Sequence, residues 1–169
     1  MKVKLRIASV ADIPAIIHMQ EQTWEPTYRA ILSKEQIEYM FDRMYSASSL
    51  TDQMTTQCHT FLLAEEEGIL LGFASFNLID ADAQVYKLQK IYVLPGTQGK
   101  GIGRLLMDGV ENYCRERGGR TLWLNVNRYN TARTFYEKRG FRILREEDIP
   151  VGPYWMNDYL MEKELVVSR

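Results

Sequence analysis

One stretch constrains this chain more than any other: Ile91-Tyr92-Val93-Leu94-Pro95-Gly96-Thr97-Gln98-Gly99-Lys100-Gly101-Ile102-Gly103-Arg104-Leu105. A strand pattern ends, four glycines fall within eight residues, and a helical pattern begins. Glycine lets consecutive backbone N–H groups turn toward one point with no Cβ in the way. The first turn of the helix adds unpaired N–H donors and the positive end of the macrodipole. Lys100 and Arg104 add formal charge. Phosphate is the anion such an arrangement suits. The plainer alternative is that the glycines only permit a tight turn and close helix–sheet packing.

Two common phosphate motifs fail here. A P-loop needs Gly-x4-Gly-Lys-Ser/Thr, yet Leu94 stands at the first Gly and Gly101 follows the lysine. In a dinucleotide fingerprint begun by Gly99 and Gly101, Arg104 fills the place of the third glycine. What remains is Gln98-x-x-Gly101-x-Gly103.

The surrounding chain supplies a scaffold. Alternation predicts an opening strand at Val3–Ile7, and Ser9, Asp12 and Pro14 start a helix that Pro26 is expected to break. Ser33-Lys34-Glu35-Gln36 is a capping box, and Ile37, Met40, Phe41, Met44 and Tyr45 form a core-facing stripe. The polar stretch 46–57 has room for one or two further helical turns. Strands are predicted at Thr60–Glu65, Ile69–Leu78 and Val85–Val93, with Gly68 in the hairpin turn. A helix over Lys100–Arg117 stops at Gly118-Gly119; a strand over Thr121–Val126 and a short helix over Asn130–Arg139 follow. Phe141–Leu144 reads as strand, Pro150, Gly152 and Pro153 as loop, and Tyr154–Leu165 as a last strand. The expectation is one α/β (α+β) domain over 1–169, a mixed sheet covered by helices.

Composition narrows the partners. The 169 residues carry 21 Lys+Arg against 22 Asp+Glu, with 46% apolar residues, which is globular rather than disordered. Net charge of -1 gives no footprint for nucleic acid. No apolar run is long enough to cross a bilayer, and Lys4, Arg6 and Asp12 interrupt any signal-peptide core, so a cytoplasmic protein is expected. Cys58 and Cys114 have no metal-ligand spacing, His18 and His59 are isolated, and no metal is expected.

With its flanks, the glycine segment resembles the GNAT (GCN5-related N-acetyltransferase) superfamily, whose pyrophosphate motif Gln/Arg-x-x-Gly-x-Gly/Ala is matched by Gln98, Gly101 and Gly103. A second family block usually reads Asn-x-x-Ala-x-x-Phe-Tyr-x-x-x-Gly-Phe; here it stands as Asn127-Arg-Tyr-Asn130-Thr-Ala132-Arg-Thr-Phe135-Tyr136-Glu-Lys-Arg-Gly140-Phe141. The resemblance spans roughly Phe61–Leu165. More narrowly, the Trp24–Tyr28 region and Asn157-Asp158-Tyr159-Leu160-Met161-Glu162-Lys163 are similar to bacterial spermidine/spermine acetyltransferases.

The resemblance implies a GNAT-like, mostly antiparallel sheet of about seven strands flanked by about four helices, and direct acetyl transfer from acetyl-CoA to a primary amine of a small molecule or polyamine. It implies that Ile91, Tyr92 and Val93 meet pantetheine through their backbone. It also implies that Gln98, Gly99, Lys100, Gly101, Ile102, Gly103 and Arg104 hold the pyrophosphate. Tyr136 is the expected general acid for the thiolate, since a free thiol near pKa 8.5 and a phenol near 10 can share a proton. Asn130 caps the short helix and, with Arg133, is expected to reach the cofactor. Many relatives place a Glu on the strand before the loop; here that strand reads Tyr86-Lys87-Leu88-Gln89-Lys90, and the base stays unassigned among water, Glu25, Asp80 and Asp82. Trp24, Tyr28, Tyr45 and Trp155 are candidates for an amine pocket, with Glu21 and Glu25 beside it, or else for core packing. Acetylation of a protein N-terminus or lysine, and a non-catalytic CoA-binding module, remain open. The last strand and the 150–156 loop offer contacts for a homodimer.

Overall fold

A computed structural model describes residues 2–97 and 99–165. It contains seven strands: β1 (Lys4–Ile7), β2 (Thr60–Glu66), β3 (Ile69–Asp80), β4 (Val85–Val93), β5 (Thr121–Asn127), β6 (Arg142–Val151) and β7 (Tyr154–Glu164). The helices are α1 (Ile13–Tyr28), α2 (Lys34–Met44), α3 (Ala47–Thr55), α4 (Ile102–Glu116) and α5 (Ala132–Lys138), with a 3-10 turn at Val10–Asp12 before α1. The strands form one sheet in the order β1-β2-β3-β4-β5-β7-β6. The β4–β5 pair is parallel, while β1–β2, β2–β3, β5–β7 and β6–β7 are antiparallel. The expected seven-stranded, mostly antiparallel sheet is found, with five α-helices rather than four.

The chain divides into two compact units, residues 1–77 with 90–110, and residues 78–89 with 111–169. In the first, α1 buries Ile13, Ile16, Met19, Gln20, Thr23, Trp24 and Tyr28, the spacing of one helical face. Pro26 does not end α1 as expected. Proline removes its own N–H and crowds the carbonyl four residues back, yet the helix continues to Tyr28, with the Arg29 N–H bonded to the Glu25 carbonyl at 2.9 Å. Ser33 Oγ accepts the Gln36 N–H at 3.1 Å and starts α2. The indole N–H of Trp24 donates to the Ile37 carbonyl at 2.9 Å, which ties α2 to α1. The polar stretch after it is a nine-residue helix, α3, capped by Ser46 on the Ser49 N–H.

Gly109 lets α4 lie on the sheet: a Cβ there would come within 2.7 Å of Leu62 and 2.8 Å of Leu5. On β2, Leu62 therefore faces α4, while its neighbour Phe61 lies near the Lys90 ammonium and stacks with Phe73.

In the second unit, β6 runs to Val151, so Pro150 lies in a strand and not in the expected loop. β6 is the last strand of the sheet order, and an edge position tolerates a residue with no N–H. The reversal is made by Gly152 and Pro153, between the paired Val151 and Tyr154. Glu111 of α4, 2% exposed at its side chain, accepts from Arg115 at 3.1 Å, Arg139 at 2.9 Å and Lys163 at 2.7 Å. One carboxylate thereby joins α4, the end of α5 and β7.

Candidate active site

Within the first unit, β4 ends at Val93, and the Leu94 N–H is held by the Leu71 carbonyl at 2.8 Å. Thr97 closes the next turn, its hydroxyl donating to the Leu94 carbonyl at 2.6 Å. Gly99 and Gly101 have φ of +86° and +75°, a conformation side-chain-bearing residues rarely adopt. A Cβ on either would meet no atom within 4 Å, so the backbone there faces open space. Helix α4 begins at once: Ile102 is buried as an anchor, and the Leu105 N–H bonds the Gly101 carbonyl at 2.9 Å. The N–H groups of Gly101, Ile102, Gly103 and Arg104 are thus the first-turn donors with no intrahelical acceptor. Lys100 and Arg104 are exposed beside them. Gln98 lies outside the described residues.

Gly72 sets how close this helix start comes to β4. A Cβ at Gly72 would lie 2.9 Å from the Tyr92 carbonyl oxygen and 3.0 and 3.1 Å from Ile102 and Leu106. Tyr92 turns its ring among Trp24 (centroids 6.0 Å apart) and Phe73 (5.8 Å), with its hydroxyl 3.2 Å from that of Tyr28. Burial pushes the Tyr92 phenol well above its ordinary pKa, so it stays protonated. Trp24, Tyr28 and Tyr45 are all buried.

Trp24 also lines a cleft of about 750 Å³ formed with residues of α1 and α2. Its carboxylates are Glu21, Glu25, Glu38 and Asp42, against the cations Arg29 and Lys34. Glu25 pairs with Arg29 at 2.8 Å. Gln20 borders the same cleft, fully buried, with neither amide atom hydrogen-bonded.

The sequence did not mark Lys90 for burial, yet it is 6% exposed and donates to Gln53 Oε1 at 2.6 Å. The rings of Tyr45 and Phe61 lie 5.8 and 5.9 Å from its ammonium. Desolvation pushes its pKa down to about 8. The same burial, reinforced by Lys90, pushes His59 down to about 4, so its imidazole is neutral at pH 7.

The second unit carries the other candidates. Asn130 Oδ1 accepts the Ala132 N–H at 2.9 Å in a turn that leads into α5, whose N-cap is Thr131 rather than the expected Asn130, while Asn127 Oδ1 accepts the Tyr129 N–H at 2.9 Å. Tyr136 is buried, edge-on to Phe135 and Phe141 with centroids 5.5 and 5.9 Å away. Arg133 pairs with Glu137 at 3.4 Å and lies 5.3 Å from the Tyr159 ring. Asp80 is occupied in a turn, accepting the Ala83 N–H at 3.0 Å. Trp155 is 56% exposed on β7.

One buried carboxylate went unnoticed in the sequence. Asp158 is 5% exposed, and its Oδ1 has no hydrogen-bond partner. Desolvation raises its pKa to about 6, with Glu147 adding to the rise and Lys87 and Arg128 opposing it. An acid at an otherwise apolar period in a strand was the available signal, since Met156, Leu160 and Met161 around it are buried.

The chain matches the model of an acetyltransferase (GNAT) domain over residues 28–158. An uncharacterised N-acetyltransferase of Mycobacterium bovis is 33% identical over 136 residues, covering 80% of this chain and 86% of that protein. A spermidine N(1)-acetyltransferase of Thermoplasma acidophilum is 28% identical over 169 residues, covering 97% and 98%. The crystal structure of PaiA N-acetyltransferase from Thermoplasma acidophilum, in complex with coenzyme A, superposes with a TM-score of 0.82 at 28% identity, covering 97% of this chain and 99% of that one.

Proposed function

We propose, for a chain that belongs to the GNAT acetyltransferase family, that it moves acetyl from acetyl-CoA directly onto a primary amine of a small polycationic acceptor. The observation that carries this reading is the turn at Gly99 and Gly101, whose backbone faces open space beside the donor-rich start of α4. The diphosphate of coenzyme A fits that cradle: it needs several N–H donors at close range, and any side chain would fill the space. Gln98, Gly99, Lys100, Gly101, Ile102, Gly103 and Arg104 are assigned to it, and the backbone of Ile91, Tyr92 and Val93 to pantetheine. A backbone N–H of that strand polarises the thioester carbonyl, a contribution often worth about 3 kcal/mol of barrier.

Direct transfer asks for a neutral amine, an aligned thioester and a proton for the departing sulfur. Tyr136 is assigned that proton donation, with Asn130 and Arg133 at the cofactor. For the acceptor, the α1–α2 cleft presents four carboxylates against two cations and an aromatic wall, which favours a flexible polycation over a neutral amine. The full-length similarity to a spermidine N(1)-acetyltransferase supports the same class.

The test is thiol release from acetyl-CoA over a panel of polyamines, monoamines, lysyl peptides and peptide N-termini. Saturable release with polyamines at the highest kcat/KM is expected. Cofactor binding with no amine-dependent release would instead indicate a CoA-binding module, and preference for peptides would move the acceptor to protein.

A further inference from the structure

The reading above leaves unassigned the group that takes the proton from the acceptor. On β5, Asn125 and Asn127 point to one face of the sheet, as alternate residues do. Directly paired residues share a face, so Leu160 and Asp158 of β7, opposite Asn125 and Asn127, point the same way, as does Glu147 of β6, opposite Asp158. Lys87 of β4, opposite Trp123, joins them. The Asn125 amide donates to Glu147 Oε1 at 2.9 Å, a bond that passes over β7 beside Asp158. Because that NH2 faces a carboxylate, Asn125 Oδ1 is turned the other way, and it is buried with no partner. Two enclosed acceptors on adjacent strands, Asn125 Oδ1 and Asp158 Oδ1, therefore lack a donor. Such atoms cost stability when left alone and are rare without a function.

An ammonium, with three N–H donors, is a group that could satisfy both. Asp158 lies opposite Asn127, the last residue of β5, where the chain departs toward Asn130 and Tyr136. We propose that Asp158 is the general base of the acetyl transfer, with Asn125 Oδ1 accepting a second hydrogen of the same ammonium. The inference rests on the acetyltransferase reading. The acceptor enters as R–NH3+ and gives one proton to Asp158, which passes it to solvent. The freed lone pair attacks the thioester carbon, the C–N bond forms and the C–S bond breaks. The second proton shed by nitrogen, relayed through water, replaces the phenol proton that Tyr136 gives to the sulfur. The sum is R–NH3+ and acetyl-CoA to amide, CoA thiol and H+. The charged groups facing Asp158 are Lys87 from β4, Glu147 from β6 and Arg128 from the β5–α5 connection. With burial outweighing the two cations, the carboxylate is held near 6, closer to the working range of a base than an ordinary Asp.

Asp158→Asn keeps the shape and removes the basicity. Expected is a fall in kcat/KM for the amine of about 100-fold or more at pH 7, with acetyl-CoA affinity unchanged. The wild-type acidic limb near pH 6 disappears in the variant, and its deficit shrinks as pH approaches the amine's own pKa. Wild-type turnover matched by Asp158→Asn overturns the inference and leaves the acetyltransferase reading intact; no amine-dependent thiol release by the wild type overturns that reading instead. Should the variant fail to fold, the wild-type profile decides: kcat/KM falling with an apparent pKa near 6 supports Asp158, and a flat profile from pH 5 to 7 overturns it.

Discussion

The ammonium of Lys90 donates to Oε1 of Gln53 at 2.6 Å inside the first unit, with both side chains buried. A charge held by one neutral acceptor and two aromatic rings recovers only part of its lost hydration. The folded pKa therefore falls to about 8, against 10.5 for the free side chain.

That shift sets a pH dependence of stability. Below pH 8 the lysine is charged in both states and burial opposes folding. Between pH 8 and 10.5 the unfolded chain holds a proton that the folded chain has released, so stability rises with pH in that window. Lys90→Met has no such term, and its lost bond to Gln53 adds a pH-independent offset. The difference in urea stability, wild type minus variant, is expected to grow by about 3 kcal/mol from pH 8 to 10.5. A constant difference would show that Lys90 titrates normally.

Glu111 predicts the opposite kind of sensitivity. Three cations converge on one enclosed carboxylate, and Glu111→Gln keeps the volume while removing the charge that all three face. A loss of about 3 kcal/mol is expected in equilibrium unfolding, with a lower Tm. Glu116→Gln, exposed on the next turn of α4, should change stability by less than about 0.5 kcal/mol.

Periodicity made much of this fold legible. Val85–Val93 alternates enough to show a strand, and α4 presents Ile102, Leu106 and Val110 at helical spacing, all buried. What was not legible depends on partners far along the chain. Pro26 is tolerated because α1 packs on through Tyr28, and Pro150 because β6 is an edge. The 46–57 stretch looked too polar for a long helix, since its core contacts are only Leu50 and Gln53. Gln53 is buried because Lys90, 37 residues later, needs an acceptor. For Asp158 the local signal is faint, an acid between the buried Met156 and Leu160, and its orphaned oxygen depends on strands far along the chain, whereas the glycine turn is encoded by the glycines themselves.

The acceptor cleft predicts a charge effect confined to binding. Glu21→Gln with Glu38→Gln lowers the negative charge of the lining and should raise KM for a polyamine about 10-fold while leaving kcat nearly constant. The wild-type KM should also rise with salt, and the double variant's less so. Equal KM values at low ionic strength would place the acceptor elsewhere.

Tyr136→Phe separates packing from proton transfer. The ring keeps its contacts with Phe135 and Phe141, and only the hydroxyl is lost. Turnover should fall about 100-fold with acetyl-CoA affinity nearly unchanged. Undiminished turnover under conditions where chemistry limits the rate would reject the acid role.

Gly101 and Gly68 form a matched pair for testing the cradle. Their φ values are +75° and +77°, and a Cβ on either meets nothing within 4 Å. Alanine at each should therefore cost the same backbone strain, about 1 kcal/mol of stability. Gly68 sits in the β2–β3 hairpin turn, far in sequence from the α4 start. In the proposed function only Gly101 faces a ligand, and its new methyl would occupy the space assigned to the diphosphate. Gly101→Ala should weaken acetyl-CoA binding at least 10-fold by calorimetry, and Gly68→Ala should leave it unchanged. Equal affinities for the two variants would mean that the open space beside Gly101 is not where the cofactor's phosphates rest.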